Sequence, residues 1–142
     1  MKHINVYINE AWSGVKKQSI KSDIEAWCDE MGIENYTINS KGEIDVDGGV
    51  SLSGQNFKEL PYKFGMVDGL FSLSSNKNLT SLKNCPNYVG GYFSCSLCPQ
   101  LDSLEGCPKK IIGGFYCNGC KRKFTKEEIQ SLCNVKKTNI YV

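Results

Sequence analysis

LTSLKNCPNYVGGYFSCSLC, residues 79–98, is followed after two residues by LDSLEGCPKKIIGGFYCNGC, residues 101–120. A shift of 22 residues, 79 to 101, aligns them. Leu79 then falls on Leu101, Leu82 on Leu104, Cys85 on Cys107 and Pro86 on Pro108. Val89 falls on Ile111, Gly91 on Gly113, Phe93 on Phe115, Cys95 on Cys117 and Cys98 on Cys120. An earlier copy starts at Val67, where Phe71, Leu73 and Asn76 fill the columns of Phe93, Cys95 and Cys98. A fainter one starts at Val46, with Val50, Leu52, Gln55 and Leu60 at or near those columns. Self-similarity at a fixed short period predicts a chain built of stacked units, each burying its apolar face on the next.

The repeat also bears on the most suggestive motif. CSLC (95–98) and CNGC (117–120) read as C-x2-C, eighteen residues, C-x2-C, which alone is a zinc-site spacing. The first cysteine of each pair occupies a column that accepts Leu52 and Leu73, and the second a column that accepts Asn76. Those are the demands of the leucine-rich-repeat strand, L-x-L-x-x-[N/C]. The first position packs inward. The second puts an amide or thiol under the turn, where it pairs backbone groups left open there. Cysteine, a small hydrophobe with a weak donor, suits both columns. No metal or other cofactor is therefore assigned.

The chain resembles short leucine-rich-repeat-like proteins found in bacteriophages and phage-derived regions. The resemblance rests on IEAWCDEMGIENYTINSKGEIDVDG, LTSLKNCP, LDSLEGCPKKIIGGFYC and KFTKEEIQSLCNV, and covers nearly everything after about residue 20. Members of that family more often carry an Asn-rich turn, like Ser75-Asn76; Cys98 and Cys120 depart from it and keep a metal site open. The resemblance implies a viral protein that acts on a host protein, a defence or metabolic factor, in the host cell cytoplasm. With the repeat, it leads to an expected fold that is mostly β with capping helices, a short leucine-rich-repeat-like solenoid with a repeat of about 22 residues.

Three segments follow. Residues 1–45 are expected to form an N-terminal cap. INVYI (4–8) alternates like a strand, Ser22 and Glu25 form a capping box, and Gly32 is placed to end the helix. Ile24, Trp27, Cys28 and Met31 share one helical face, and YTI and EIDV flank NSKG as a hairpin. Residues 46–122 hold the coils, each with one strand around F-x-[LC] and a convex side that is 3₁₀ or extended. Residues 123–142 form a C-terminal helical cap. There Thr125 and Glu128 make a capping box, Phe124 and Ile129 a staple, and Ile129, Leu132 and Cys133 the buried face. NIYV at the end is placed to add a last strand.

The 142 residues fit one domain, and 40% apolar content is enough for it to fold. A net charge of +2 argues against a strongly basic nucleic-acid binder. The balance is uneven: residues 1–100 carry nine Lys/Arg against eleven Asp/Glu (9 − 11 = −2), and residues 101–142 eight against four (8 − 4 = +4). The basic end collects Lys121, Arg122, Lys123, Lys126, Lys136 and Lys137. The opening residues, MKHINVYINEAW, show no apolar signal core, and no run is long enough to span a bilayer, so a cytoplasmic protein with reduced cysteines is expected.

Catalytic groups are hard to find. His3 is the only histidine and has no nucleophile motif around it, and DVDGG (45–49) lacks the distal glutamate of a calcium loop. A non-enzymatic protein-binding module is the expected function. Alternation names its face. With Phe71, Leu73, Phe93, Cys95, Phe115 and Cys117 inward, the partner-binding residues are Leu70, Ser72, Ser74, Tyr92, Ser94, Ser96, Tyr116 and Asn118. The alternative is a zinc-bearing nucleic-acid-binding protein that uses Cys95, Cys98, Cys117 and Cys120 with the basic C-terminal end.

Overall fold

The computed structural model describes residues 14–142, with side chains described from residue 18 onward. His3 and the strand expected at residues 4–8 lie outside the described residues. The first element is helix α1, Gly14–Glu30. It starts well before Ser22, because nothing in GVKKQSIK stops a helix and Ile20 extends the apolar face backward; the expected capping box therefore lies inside the helix. Ile24 and Cys28 are buried, with Ile20, Trp27 and Met31 packed against the same core. The far end closes on Gly32 at φ +72: Gly32 N–H donates to the Asp29 carbonyl at 3.2 Å and Ile33 N–H to that of Cys28 at 2.9 Å.

Strands β1 (Tyr36–Ile38) and β2 (Ile44–Val46) form the antiparallel hairpin the sequence suggests. Its turn is set by Asn39, whose side-chain oxygen accepts from Lys41 N–H at 2.9 Å and Glu43 N–H at 3.0 Å. Then come β3 (Val50–Ser51), β4 (Phe64–Val67), β5 (Phe71–Ser72), β6 (Tyr88–Val89), β7 (Phe93–Ser94), β8 (Lys110–Ile111) and β9 (Phe115–Tyr116). Helix α2 (Lys126–Leu132), a 3₁₀ turn at Lys137–Asn139 and β10 (Ile140–Tyr141) complete the chain.

These strands sort into two sheets of five, ordered β1-β2-β4-β6-β8 and β10-β9-β7-β5-β3. All pairs except β1–β2 are parallel. The expected mostly β, leucine-rich-repeat-like solenoid is therefore corrected to a mixed α/β fold with two parallel-rich sheets and two α-helices among the described residues. The difference arises on the return path. Its amides and carbonyls need partners, and the unit 22 residues on presents matching groups in register. Gly90 N–H reaches the Val67 carbonyl at 2.8 Å and Ile112 N–H that of Val89 at 3.0 Å. The side expected to be 3₁₀ or extended thus becomes the first of the two sheets, β1-β2-β4-β6-β8.

The register of the second sheet follows the sequence repeat: Phe71 pairs with Phe93 and Phe93 with Phe115. Their rings form a spine with Phe64, at centroid separations of 5.0, 6.2 and 5.2 Å from Phe64 through Phe71 and Phe93 to Phe115. Trp27 docks α1 edge-on against Phe57, Tyr62 and Phe64. Where the chain turns from the first sheet to the second, adjacent units press together. A side chain at Gly113 would lie 2.6 Å from the Gly91 carbonyl oxygen, which only glycine avoids.

At the C-terminus the Thr125–Glu128 capping box forms, and Phe124 and Ile129 are buried as a staple requires. Leu132 corrects the expected face. It is exposed, and Val135, beyond the helix, joins Cys133 in the core instead. No described helix is long and apolar enough to cross a membrane.

Candidate functional site

The second sheet turns Phe71, Leu73, Phe93, Cys95, Phe115 and Cys117 into the core, so its other face carries the residues singled out by alternation. That face has two halves. Toward β3 it is a hydroxyl ladder. Ser53 bonds Ser72 at 2.8 Å, Ser72 donates to Ser74 at 3.3 Å, and Ser74 bonds Ser94. Ser96 donates to the Asn118 side-chain oxygen at 2.7 Å. Ser72, Ser94 and Ser96 are buried and Ser74 half-buried, since strand spacing packs each small side chain between its neighbours. Asn118 is exposed and Leu70 half-buried, covering the bare backbone of Gly49.

Toward β10 the face is aromatic. Tyr92 meets Tyr116 edge-on at 5.6 Å, and Tyr116 stacks on Tyr141 at 4.5 Å with the rings 10° apart. Tyr92 is 40% exposed and Tyr141 46%, while Tyr116 is half-buried between them. Gly114 leaves room for this cluster, because a Cβ there would sit 3.0 Å from the Tyr116 ring. Tyr141 was not among the residues named from the sequence. Its partner is Tyr116, 25 positions earlier (141 − 116), outside the 22-residue register. Leu97, 56% exposed in the turn after β7, was missed as well, since alternation applies to strands and not to turns.

Two of the four cysteines of the paired motifs, Cys98 and Cys120, behave as hydrogen-bond donors. Asn76 donates to the Leu52 and Leu73 carbonyls at 2.9 and 2.7 Å. In the same column Cys98 donates to the Leu73 carbonyl at 3.3 Å and Cys120 to that of Cys95 at 3.2 Å. Burial raises the Cys98 thiol and pushes Cys117 up to about 12. Cys95 is held well above 9.0 by its hydrogen bond to Cys120 and then by burial. Cys120 runs the other way: hydrogen-bonded by Cys95, it is lowered to about 7. Among the described residues no group of three or more His, Cys, Asp or Glu is disposed to hold a metal ion.

The basic end is partly neutralised. Arg122 forms two hydrogen bonds to Glu128, one of 3.1 Å, and lies over the Phe124 ring at 4.3 Å. Lys137 pairs with Glu127 at 2.7 Å and Lys121 with Asp102 at 3.9 Å. A cavity of about 610 Å³ on another side is lined by Lys41, Glu43, Tyr62, Lys63, Lys83 and Lys109, among others. Lys63 is tied there to the carbonyls of Phe64 and Cys85 and the side chain of Asn87. Asp45, from the calcium-like DVDGG, accepts from Met66 N–H at 2.9 Å and from Asn39, a structural role.

No family model matches the chain, and no curated protein or solved structure matches it.

Proposed function

We propose that this chain is a non-enzymatic protein-binding module that engages a partner protein through the aromatic half of the second sheet's outer face. The observation that supports this is the Tyr92–Tyr116–Tyr141 cluster. Tyrosines are enriched in interface hot spots because they bury large area at small entropic cost. These three sit on rigid, mutually packed strands, so little order remains to be imposed on binding. No charged residue lies among the outward strand positions of this face, which suits a partner with an apolar patch and neutral polar rim. A host protein, a defence or metabolic factor, is the partner implied by the resemblance to phage-encoded proteins.

Wild-type chain and a Tyr92→Ala/Tyr116→Ala variant, immobilised side by side, test this by capture from bacterial lysate read by mass spectrometry. A protein retained by the wild type should be lost by the variant, with affinity for the isolated partner reduced at least about 30-fold, a loss of about 2 kcal/mol. Circular dichroism of the variant should match the wild type. Equal retention by both would place binding on another surface, and no specific capture would argue against a binding module.

A further inference from the structure

The cavity of about 610 Å³ shares no lining residue with the tyrosine face, and four lysines border it: Lys41, Lys63, Lys83 and Lys109. Lys41 sits in the turn before β2, and the other three on the approaches to β4, β6 and β8. Those strands are consecutive neighbours in the first sheet, so the lysines are set along a row of roughly 14 Å at strand spacing. Backbone hydrogen bonds fix the stack beneath them. Asn87 N–H donates to the Gly65 carbonyl at 2.8 Å, and Lys109 N–H to that of Asn87 at 2.9 Å. None of the four lysines pairs with a carboxylate among the described residues. Two glutamates, Glu43 and Glu59, also line the cavity and leave its wall at 4 − 2 = +2. Of these, Glu43 already accepts from the Asn39 side-chain amide at 3.3 Å.

Lys63 differs from the other three. Its ammonium donates to the Phe64 carbonyl at 2.8 Å, to the Cys85 carbonyl, and to the Asn87 side-chain oxygen at 3.0 Å. All three of its N–H groups are used, and all three partners are neutral. A half-buried positive charge is therefore held in a fixed place with no counter-charge beside it. Burial accordingly lowers the Lys63 ammonium from its ordinary 10.5. Asn87 gives its oxygen to Lys63, which leaves its amide N–H groups to donate to a ligand. Lys41, Lys83 and Lys109 are exposed, and their long side chains are free to turn onto whatever enters.

We propose that this cavity binds a small molecule carrying two or more linked phosphates, the chemistry shared by nucleoside triphosphates and inorganic polyphosphate. Lys63 supplies a fixed charge at the wall, and Lys41, Lys83 and Lys109 supply direct contacts to phosphate oxygens. Lysine serves phosphate as a point charge and needs no planar match, so four lysines from four places in the stack can act together. A row of that length suits a chain of phosphates better than a single one. The concave wall limits the ligand to a small molecule, and partial burial strengthens each charge contact relative to open solvent.

Calorimetric titration of the full chain at about 0.15 M salt tests this, with tripolyphosphate, ATP, orthophosphate and adenosine as probes. Tripolyphosphate or ATP should bind with a Kd below about 0.1 mM, and orthophosphate and adenosine at least about tenfold more weakly. ATP binding about tenfold tighter than tripolyphosphate would identify a nucleotide as the source, and equal binding a bare polyphosphate; both uphold the site. Lys83→Glu/Lys109→Glu should weaken binding at least about tenfold. Lys77→Glu/Lys123→Glu makes the same charge change at exposed lysines outside the cavity and should leave the Kd within about twofold. All four positions are exposed, so both variants should keep the wild-type circular dichroism. Equal losses in the two variants would reduce the effect to net charge and overturn the proposal. It is also overturned if neither polyphosphate binds below about 1 mM, or if orthophosphate binds as tightly. A single-stranded oligonucleotide binding at least about tenfold tighter than ATP would overturn it in favour of nucleic acid.

Discussion

Leu97 sits at φ +57, in a turn position that other units fill with Gly54, Ser75 and Gly119 at φ +70, +60 and +75. The left-handed region costs an L-residue with a Cβ about 1 kcal/mol or more, and leucine has no side-chain hydrogen bond to offset it. The Leu97 side chain lies over Gly119, yet most of it faces solvent. A strained, exposed leucine in a turn next to the outer face suits a partner contact better than a packing role. Leu97→Gly should therefore change folding stability by less than about 1 kcal/mol, relieved strain offsetting added chain entropy. Affinity for the captured partner should fall about tenfold or more. Urea unfolding beside a binding titration checks both, and a stability loss above about 2 kcal/mol would make Leu97 structural. Single residues were legible in the sequence where a column repeated: the inward Phe, Leu and Cys follow from period 2 within strands and period 22 between them. The mutual satisfaction of Ser72, Ser74 and Ser94 was not, because it depends on how closely units stack.

The elements show where local signals win. At α2 the capping box predicted from Thr125 and Glu128 forms and no competing continuation exists upstream. At α1 an equally good box at Ser22 is overridden, since an apolar face carries the helix through it. Strands β6 and β8 of the first sheet were illegible for another reason. Tyr88–Val89 and Lys110–Ile111 are two residues each, too short to alternate, and only their neighbours in register make them strands. Glu128 gives α2 a measurable pH dependence. Its hydrogen bonds from Arg122, chiefly, and from the Thr125 backbone hold its carboxyl below the ordinary 4.5. A depressed folded-state pKa contributes stability that is present above 4.5 and lost as pH falls through the lower folded value. The melting temperature should drop between about pH 5 and pH 3, and Glu128→Gln should shrink that drop by roughly 1–3 °C, a small effect because the pair is solvent-screened. Identical pH profiles for the two proteins would remove Glu128 from the account.

Across the whole molecule, each unit is joined to the next by parallel strand pairs and backbone hydrogen bonds at matching heights on both sheets, as in Val67 with Val89 and Phe71 with Phe93. The repeat made this stacking direction legible, while the closing helices and hairpin, which lie outside it, had to be inferred from caps and turns. The same arrangement sets how the protein meets mechanical load. Traction on the two termini peels one unit from its neighbour, so hydrogen bonds rupture a few at a time instead of all in shear. In an optical trap the chain should yield at low force through a staircase of lengthenings. Each step from the central units should release about 22 residues, roughly 70–80 Å of contour. A single rip of the full length would mean that the phenylalanine spine binds the units into one indivisible body.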